Sequence, residues 1–302
     1  MRILIGVDAG ASHTTAAVAN EHGTVLVRSD GGPGAMRPGE AAAVAARILE
    51  TCRDALRKAE REVRGDVLVV GAAGVGREAE RLALQAALEE TGLAPRVAVT
   101  VDGAIALQAA FSDGPGIVLL AGTGSVAWAR LPGGAGVTTR IGGLGPVMGD
   151  QGSGYDLARQ ALRAAGLAIE GRGRRTLLAG SILKQLRLAG LPDLVRWATT
   201  ADVPAVASLA PEVLAAAEEG DAVAGALVDT SADDLANHVR ALAERFPRDI
   251  RVGVALGGSL LARSEDYRKR VVARIVADVP SATIRPETVD PVLGAVQLAR
   301  AL

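Results

Sequence analysis

Residues 6–14 of the chain read Gly6-Val7-Asp8-Ala9-Gly10-Ala11-Ser12-His13-Thr14, and a related turn, Gly122-Thr123-Gly124-Ser125, follows later. Each turn comes after a short apolar run suited to a buried strand, residues 3–7 and 117–120. Glycine, hydroxyl groups and free backbone N–H groups at a strand end are typical of sites that hold phosphate. The pair predicts a split phosphate clamp, although either turn alone also fits an ordinary hairpin or turn.

Only the first of the two turns contains a carboxylate, that of Asp8. A carboxylate directly after a strand can hold Mg²⁺, through water, against the oxygens of a nucleotide. A P-loop is excluded because none of the lysines, Lys58, Lys184 and Lys269, follows the required glycine run. The glycines of the segment 71–76 also miss the spacing of a dinucleotide fingerprint.

Length and composition limit the other classes of function. With 302 residues the chain is long enough for two domains. A net charge of −1 argues against a nucleic-acid partner. The single cysteine, Cys52, excludes an intrachain disulfide and a Cys-x-x-Cys site, and it fits the cytoplasm. We expect no membrane partner, because no apolar stretch is long enough to span a bilayer and no signal peptide is evident.

The order of predicted elements indicates a duplicated α/β architecture. Three leading strands are followed by alternating strands and helices up to residue 111, and a turn follows at residues 112–116. The pattern then restarts with three strands, of which the third is expected near residues 137–141. A helical stretch over residues 155–237 separates these strands from a later strand at residues 251–256.

Two further carboxylates are candidates for chemistry. Asp102 lies at a strand end, directly before a helix, where it fits either a helix N-cap or a general base. Asp150 lies in a glycine-dense segment, residues 142–155, that opens a helix. It fits either an N-cap or a carboxylate that hydrogen-bonds a bound ligand.

The segment Gly143-Leu144-Gly145-Pro146-Val147-Met148-Gly149-Asp150-Gln151-Gly152-Ser153-Gly154-Tyr155 resembles the sugar-binding loop of the N-acetylglucosamine kinase group. That group is related to the activator ATPases of acyl-CoA dehydratases and reductases. The paired turns resemble those of the actin, heat-shock chaperone and sugar kinase superfamily. The similarity covers nearly the whole chain, because it includes Gly257-Gly258-Ser259 and Asp290-Pro291-Val292-Leu293-Gly294.

This resemblance implies an α/β fold of two ribonuclease-H-like (actin-like ATPase) domains with an interdomain cleft. The first domain would span residues 1–114, and a C-terminal helix, residues 291–302, would pack back on it. The second domain would span residues 115–290 and include the helical insertion. The implied cofactors are ATP and Mg²⁺, with Asp8 at the metal. The implied cofactor-binding residues are Asp8, Gly10, Ser12, Thr14, Gly122, Thr123, Gly124, Gly257, Gly258 and Ser259.

The resemblance also implies an ATP-dependent kinase that phosphorylates a primary hydroxyl of an amino sugar, N-acetylglucosamine or glucosamine, to the 6-phosphate. Asp102 would be the catalytic base, and the substrate would contact Asp102, Gly143, Gly145 and Asp150. The resemblance further suggests a homodimer. The identity of the sugar stays open because Ala35 or Met36 replaces an asparagine of the relatives, and Leu144 replaces a frequent tryptophan.

Two other functions remain open. One is an ATP-hydrolysing activator or switch without a sugar substrate; such relatives bind an iron–sulfur cluster through two cysteines of each subunit. Cys52 alone cannot supply that set. The other is a nucleotide-binding module without catalysis, which ATP binding in the absence of turnover would identify.

Overall fold

The structure is a computed structural model that describes residues 2–60, 64–133 and 138–302. Its chain separates into two compact units. Unit 1 comprises Met1–Val118, Arg130–Thr138 and Val289–Leu302, and unit 2 comprises Leu119–Ala129 and Thr139–Thr288. The domain boundaries expected from the sequence, residues 1–114 and 115–290, stay a prediction.

The first five-stranded sheet has the order β3-β2-β1-β4-β5. Its strands are β1 (Leu4–Ala9), β2 (Thr14–Ala19), β3 (Val25–Gly31), β4 (Val67–Ala72) and β5 (Arg96–Val101). β1 pairs with β2 antiparallel and with β4 parallel, and β4 pairs with β5 parallel. Almost every residue of β1 and β4 is buried, as expected of central strands with apolar cover on both faces.

The helices of unit 1 cover this sheet. They are α1 (Ala41–Lys58), α2 (Glu78–Glu90), α3 (Asp102–Phe111) and α13 (Pro291–Ala301). α1 buries a stripe of residues spaced four apart, Val44, Ile48, Cys52 and Leu56, against the core of unit 1. α13 packs on α3 and β1. It carries Val292, Val296 and Ala299 into a second apolar cluster with Leu4 and Ile105.

The second five-stranded sheet has the order β10-β9-β6-β7-β8. Its strands are β6 (Gly116–Ala121), β7 (Ser125–Arg130), β8 (Thr138–Gly142), β9 (Val252–Gly257) and β10 (Ala282–Val289). Each sheet thus contains a pair of adjacent strands joined by a short turn, β1 with β2 in the first sheet and β6 with β7 in the second. Because β6 occupies the centre, the turn that follows it lies at the middle of one sheet edge.

Helices fill the chain between β8 and β9 and between β9 and β10. They are α4 (Gly145–Met148), α5 (Gly154–Ile169), α6 (Leu178–Leu186), α7 (Leu191–Thr200), α8 (Val203–Ala207), α9 (Ala210–Glu218), α10 (Ala222–Ala243), α11 (Ser259–Arg263) and α12 (Glu265–Asp278). Asp221 caps α10 by accepting from the N–H groups of Val223 and Ala224 at 2.9 and 2.8 Å. Within the described part of the chain, none of these helices combines the length and hydropathy that crossing a membrane requires.

The α/β class and the order of strands and helices predicted from the sequence are confirmed. Two short helices were missed, α4 and α11, because their glycines and a proline favour turns. The expected strand near residues 137–141 is β8, although Val137 lies outside the described residues.

Candidate functional site

The first turn is closed by hydrogen bonds of its own backbone and of a neighbouring loop. Gly10 N donates to His13 O at 2.9 Å, and Gly10 O accepts from the N–H groups of Gly34 and Ala35 at 2.9 and 3.0 Å. The loop that follows β3 therefore lies directly against the turn. Met36 of this loop points into the core, with 5% of its surface exposed, so its side chain is unavailable as a replacement for the relatives' asparagine.

Asp8 lies near the carboxyl end of the central strand β1, where its Cα is paired with those of Thr15 on β2 and Gly71 on β4. Burial, and then the negative charges of Asp102 and Asp290, raise the pKa of Asp8 to about 7. Asp102 and Asp290 of unit 1 thus both lie close enough to Asp8 for their negative charges to disfavour its ionised form. Such a concentration of negative charge suits a hard cation with oxygen ligands.

Asp102 begins α3, and its Oδ1 accepts from Gly103 N at 2.8 Å. The N-cap position is taken by Val101, which makes no side-chain cap hydrogen bond. Asp102 is therefore the first helical residue and not the N-cap that its sequence context also allowed.

Two hydroxyl residues of the first turn differ in their surroundings. Ser12 is partly exposed. Thr14 is fully buried, and its Oγ1 donates to Gly32 O at 2.8 Å. The Thr14 hydroxyl thus anchors the loop after β3, and its role as a cofactor contact stays a prediction.

The second turn is bound to the glycine-rich segment by backbone hydrogen bonds. Gly122 N donates to Gly124 O at 2.9 Å and closes the turn. Gly154 N donates to Gly122 O at 2.8 Å, and Tyr155 N donates to Thr123 O at 3.2 Å. The start of α5 therefore rests directly on this turn and satisfies two of its backbone carbonyl groups.

A side-chain hydrogen bond strengthens this connection. Ser125 Oγ donates to Gln151 O at 2.7 Å, and Ser125 O accepts from Gly143 N at 2.9 Å. Two points of the glycine-rich segment, Gly143 near its start and Gln151 in its second half, are thereby tied to one residue of β7. The predicted sugar loop and the second predicted phosphate turn form one hydrogen-bonded group within unit 2.

Asp150 lies at the centre of this group, 9% exposed, in a left-handed backbone conformation with φ +61°. Its carboxylate accepts from the backbone N–H groups of Ser125 and Gly145. Burial raises the pKa of Asp150, and these two hydrogen bonds oppose that shift. The N-cap of α5 is Ser153, whose Oγ accepts from Asp156 N at 3.1 Å, so Asp150 is not the cap that its sequence context also allowed.

The turn after β9 lies against the second turn. Gly258 has φ +92°, and a Cβ at this position would collide with the Ala121 carbonyl oxygen. A Cβ on Gly122 would lie 3.2 Å from Ser259 Oγ. The structure thus brings Gly122, Gly258 and Ser259 of the predicted nucleotide site together within unit 2. Gly257 is the last residue of β9 and directly precedes them.

Gly143 and Gly145 both have positive φ, +64° and +83°, which the tight course of the segment requires. Leu144 between them is 54% exposed. The sequence analysis missed the residue that holds this part of the segment, Arg140. Its Nη1 donates to Gly143 O at 3.2 Å, and its guanidinium lies 5.8 Å from the ring centroid of Trp128.

His238 is another residue that sequence reasoning missed. It is 7% exposed, its Nδ1 lies 2.7 Å from Asp234 O, and its Nε2 lies 2.6 Å from the point that a Cβ on Gly142 would occupy. A single histidine within a helix gives no sequence signal for such a contact. Among the described residues, no group of three or more His, Cys, Asp or Glu side chains is arranged to hold a metal ion by itself.

Two curated relatives align with most of the chain. The N-acetylmuramic acid/N-acetylglucosamine kinase of Clostridium acetobutylicum is 29% identical over 247 residues, which cover 81% of this chain and 80% of the relative. The N-acetyl-D-glucosamine kinase of Dictyostelium discoideum is 27% identical and covers 98% of this chain and 97% of the relative.

A solved structure with the same fold, a candidate N-acetylglucosamine kinase from Chromobacterium violaceum, aligns with a TM-score of 0.81. It is 26% identical, and the alignment covers 99% of each chain. The predicted actin-like ATPase fold and the resemblance to the N-acetylglucosamine kinase group are confirmed. The model of one protein family matches residues 5–299, and the chain therefore belongs to the BadF/BadG/BcrA/BcrD ATPase family.

Proposed function

We propose that this protein is an ATP-dependent kinase that transfers the γ-phosphoryl group to the primary hydroxyl of an amino sugar. N-acetylglucosamine or glucosamine would be the acceptor and the 6-phosphate the product. The observation that carries this proposal is the position of Asp102 at the start of α3, close enough to Asp8 for their charges to interact. The relatives that are named as kinases of N-acetylated sugars support it.

In the proposed reaction, the Asp102 carboxylate takes the proton of the sugar hydroxyl as its oxygen attacks the γ-phosphorus atom. The bond between the γ-phosphorus atom and the β,γ-bridging oxygen breaks, and ADP leaves with that electron pair. One short, fixed side chain would thus orient the acceptor and remove its proton. The Gly103 N–H bond to Asp102 Oδ1, at 2.8 Å, would keep the carboxylate in place.

Backbone N–H groups would hold the nucleotide phosphates at the two turns, through Ser12 in the first turn and through Thr123 and Gly124 in the second. The N–H groups of Gly10 and Gly122 already close the turns, so these two glycines would contribute by letting the nucleotide approach the backbone closely. Asp8 would hold Mg²⁺ through water, because its buried carboxylate is surrounded by further negative charge. When bound, Mg²⁺ would offset the charge of the phosphate oxygens. Gly257, Gly258 and Ser259 would line the adenosine side.

The sugar would contact Gly143, Gly145 and Asp150. The carboxylate of Asp150 already accepts two backbone hydrogen bonds, so only its remaining lone pairs are available to sugar hydroxyls. The loop after β3 would offer Ala35 to the sugar, because Met36 is buried in the core.

The alternative of an activator with an iron–sulfur cluster has less support. Cys52 is the single cysteine of the chain, and it is fully buried on α1. Burial raises the pKa of Cys52 to about 12, which disfavours the thiolate that a cluster requires.

We propose further that the protein acts in the cytoplasm as a homodimer, with domain boundaries near residues 114 and 290. Light scattering of the purified protein tests whether it is a dimer.

The proposed kinase activity is tested by Mg²⁺-dependent release of ADP from ATP in the presence of different sugars. The panel comprises N-acetylglucosamine, glucosamine, glucose, N-acetylmannosamine and N-acetylmuramic acid, with a control without sugar. We expect strong stimulation by one amino sugar and phosphate on its 6-hydroxyl. Sugar-independent hydrolysis would instead favour the switch, and nucleotide binding without turnover would favour the binding module.

A further inference from the structure

Asp290 occupies the junction between β10 and α13 and is, after Asp102, the second carboxylate whose negative charge acts on Asp8. It is the N-cap residue of α13, yet it makes no side-chain cap hydrogen bond. Its Oδ2 instead lies 2.6 Å from Nη1 of Arg28, a residue of β3. The side chains of Asp290 and Arg28 are 35% and 42% exposed, so this ion pair is partly solvated.

Two glycines hold the start of α13 close to the elements that carry Asp8 and Asp102. A Cβ on Gly6 of β1 would lie 2.7 Å from the side chain of Val296 and 3.0 Å from Val292 O. A Cβ on Gly294 of α13 would overlap the carbonyl oxygen of Ile105 on α3. α13 therefore has a fixed position against both β1 and α3, and Asp290 at its first turn cannot move away from Asp8 without disturbing this packing.

We propose that Asp290 and Arg28 act as opposed charges on the nucleotide-bound divalent cation, Asp290 strengthening its binding and Arg28 weakening it. This inference rests on the proposed function, because it assumes that Asp8 is the metal residue. Both side chains would act on the cation through their charge and not as ligands, since Asp290 Oδ2 is already paired with Arg28 Nη1 and Arg28 is itself positively charged. A negative charge attracts a divalent cation and a positive charge repels it over several ångströms, and partial exposure weakens both effects without removing them.

A purely mechanical role for the ion pair leads to a different expectation. If the bond between Asp290 and Arg28 only tied α13 to β3, removing either partner would break the same contact. Both variants would then change nucleotide binding in the same direction and by similar amounts. If the two charges oppose each other at the cation, the two variants should change binding of the metal-bound nucleotide in opposite directions. The sign of the two changes therefore distinguishes the electrostatic role from the mechanical one.

The test compares the affinities of the full-length protein for MgADP and for ADP with EDTA, both measured by isothermal titration calorimetry. The ratio of the two dissociation constants measures the preference for the metal-bound nucleotide. We expect Asp290→Asn to lower this preference about three- to tenfold and Arg28→Gln to raise it by a similar factor. The double variant should return close to the wild-type ratio, because its net charge change is zero.

Matched variants control for net charge and for folding. Asp113→Asn removes the same charge from an exposed position beyond the other end of α3, and Arg28→Lys keeps the positive charge; both should leave the ratio unchanged. Thermal unfolding of each variant verifies that α13 stays in place, and Asp290→Ser replaces Asp290→Asn if the latter does not fold. Shifts of equal sign, or no shifts, would overturn the inference.

The two proposals fail in distinguishable ways. If a sugar stimulates ADP release but the charge variants leave the MgADP preference unchanged, the kinase assignment stands and the role of Asp290 and Arg28 is wrong. If the wild-type protein binds neither MgADP nor ADP and no sugar stimulates turnover, both proposals are wrong.

Discussion

The two five-stranded sheets have the same strand order, but the turns that follow their central strands differ in the charged groups and hydrogen bonds around them. β1 is followed by a turn near three carboxylates, Asp8, Asp102 and Asp290. β6 is followed by a turn without a carboxylate, which is held by hydrogen bonds to the glycine-rich segment and the start of α5. One half therefore concentrates negative charge near its central turn, and the other holds its central turn by hydrogen bonds.

This difference shows that a strand order can be repeated while the chemistry at its end changes. The position of each turn follows from the central strand and its hairpin partner. We expect the function of each turn to depend on a few residues, such as Asp8 with its negative charge in unit 1 and Ser125 with its hydrogen bond in unit 2. The variants below alter one half at a time and thereby test whether charge and backbone order are separable.

The largest effect is expected at Asp102, in the half that supplies charge. Asp102→Asn retains the oxygen that accepts from Gly103 N but loses the proton acceptor. We expect sugar-stimulated turnover to fall about a hundredfold or more, with ADP affinity unchanged. Steady-state kinetics and calorimetry measure the two quantities, and Asp113→Asn is the matched charge control. Near-normal turnover in Asp102→Asn would remove the base from the proposed mechanism.

The next largest effect is expected on stability, at Gly294 of α13 in unit 1, and is compared with the effect at Gly225 of α10 in unit 2. Gly294→Ala in α13 would force a methyl group into the Ile105 carbonyl of α3, and we expect a loss of about 1–3 kcal/mol in the free energy of unfolding. Gly225→Ala in α10 is the control, because no atom lies within 4 Å of its added Cβ. Alanine there should stabilise by about 0.5–1 kcal/mol. Urea denaturation measures both, and equal effects would contradict the close packing of α13 on α3.

A smaller effect is expected in the half that supplies backbone order. Ser125→Ala removes the hydrogen bond to Gln151 O and should lower the free energy of unfolding by about 1 kcal/mol. It should also raise the KM for the sugar, because the glycine-rich segment loses a tether. Ser208→Ala removes an exposed hydroxyl that bonds to Ala205 O and should change stability by less than about 0.5 kcal/mol. Identical results for the two serines would refute the role assigned to Ser125.

Much of this architecture could be predicted from the sequence. Apolar runs before glycine turns located β1 and β6, and the positions of Asp8 and Asp102 beside strand ends were predicted correctly. The roles assigned to these two carboxylates stay predictions. The partners of Asp150 could not be predicted, because they are backbone N–H groups of Ser125 and Gly145, which any residue type would offer. The ion pair of Arg28 and Asp290 joins residues far apart in the chain, and a single sequence contains no signal for that contact.

The smallest functional effect is expected at Cys52. Its thiol is fully buried and its pKa is raised to about 12, so iodoacetamide should react with the folded protein far more slowly than with the protein in urea. Cys52→Ala should leave sugar-stimulated turnover unchanged. Rapid modification of the native protein, measured by mass spectrometry, would show that α1 opens readily from the sheet.

The placement of α13 has a consequence for how the protein folds as it is synthesised. Unit 1 contains both Met1–Val118 and Val289–Leu302, and most of the residues between these two segments belong to unit 2. On the ribosome, the residues of unit 2 emerge before α13 can dock on β1 and α3. Until then Leu4, Val69 and Ile105 lack their apolar cover from Val292, Val296 and Ala299. Unit 1 is thus the first unit to be synthesised and the last to be fully packed. Until α13 docks, the uncovered apolar residues of its sheet are exposed to aggregation.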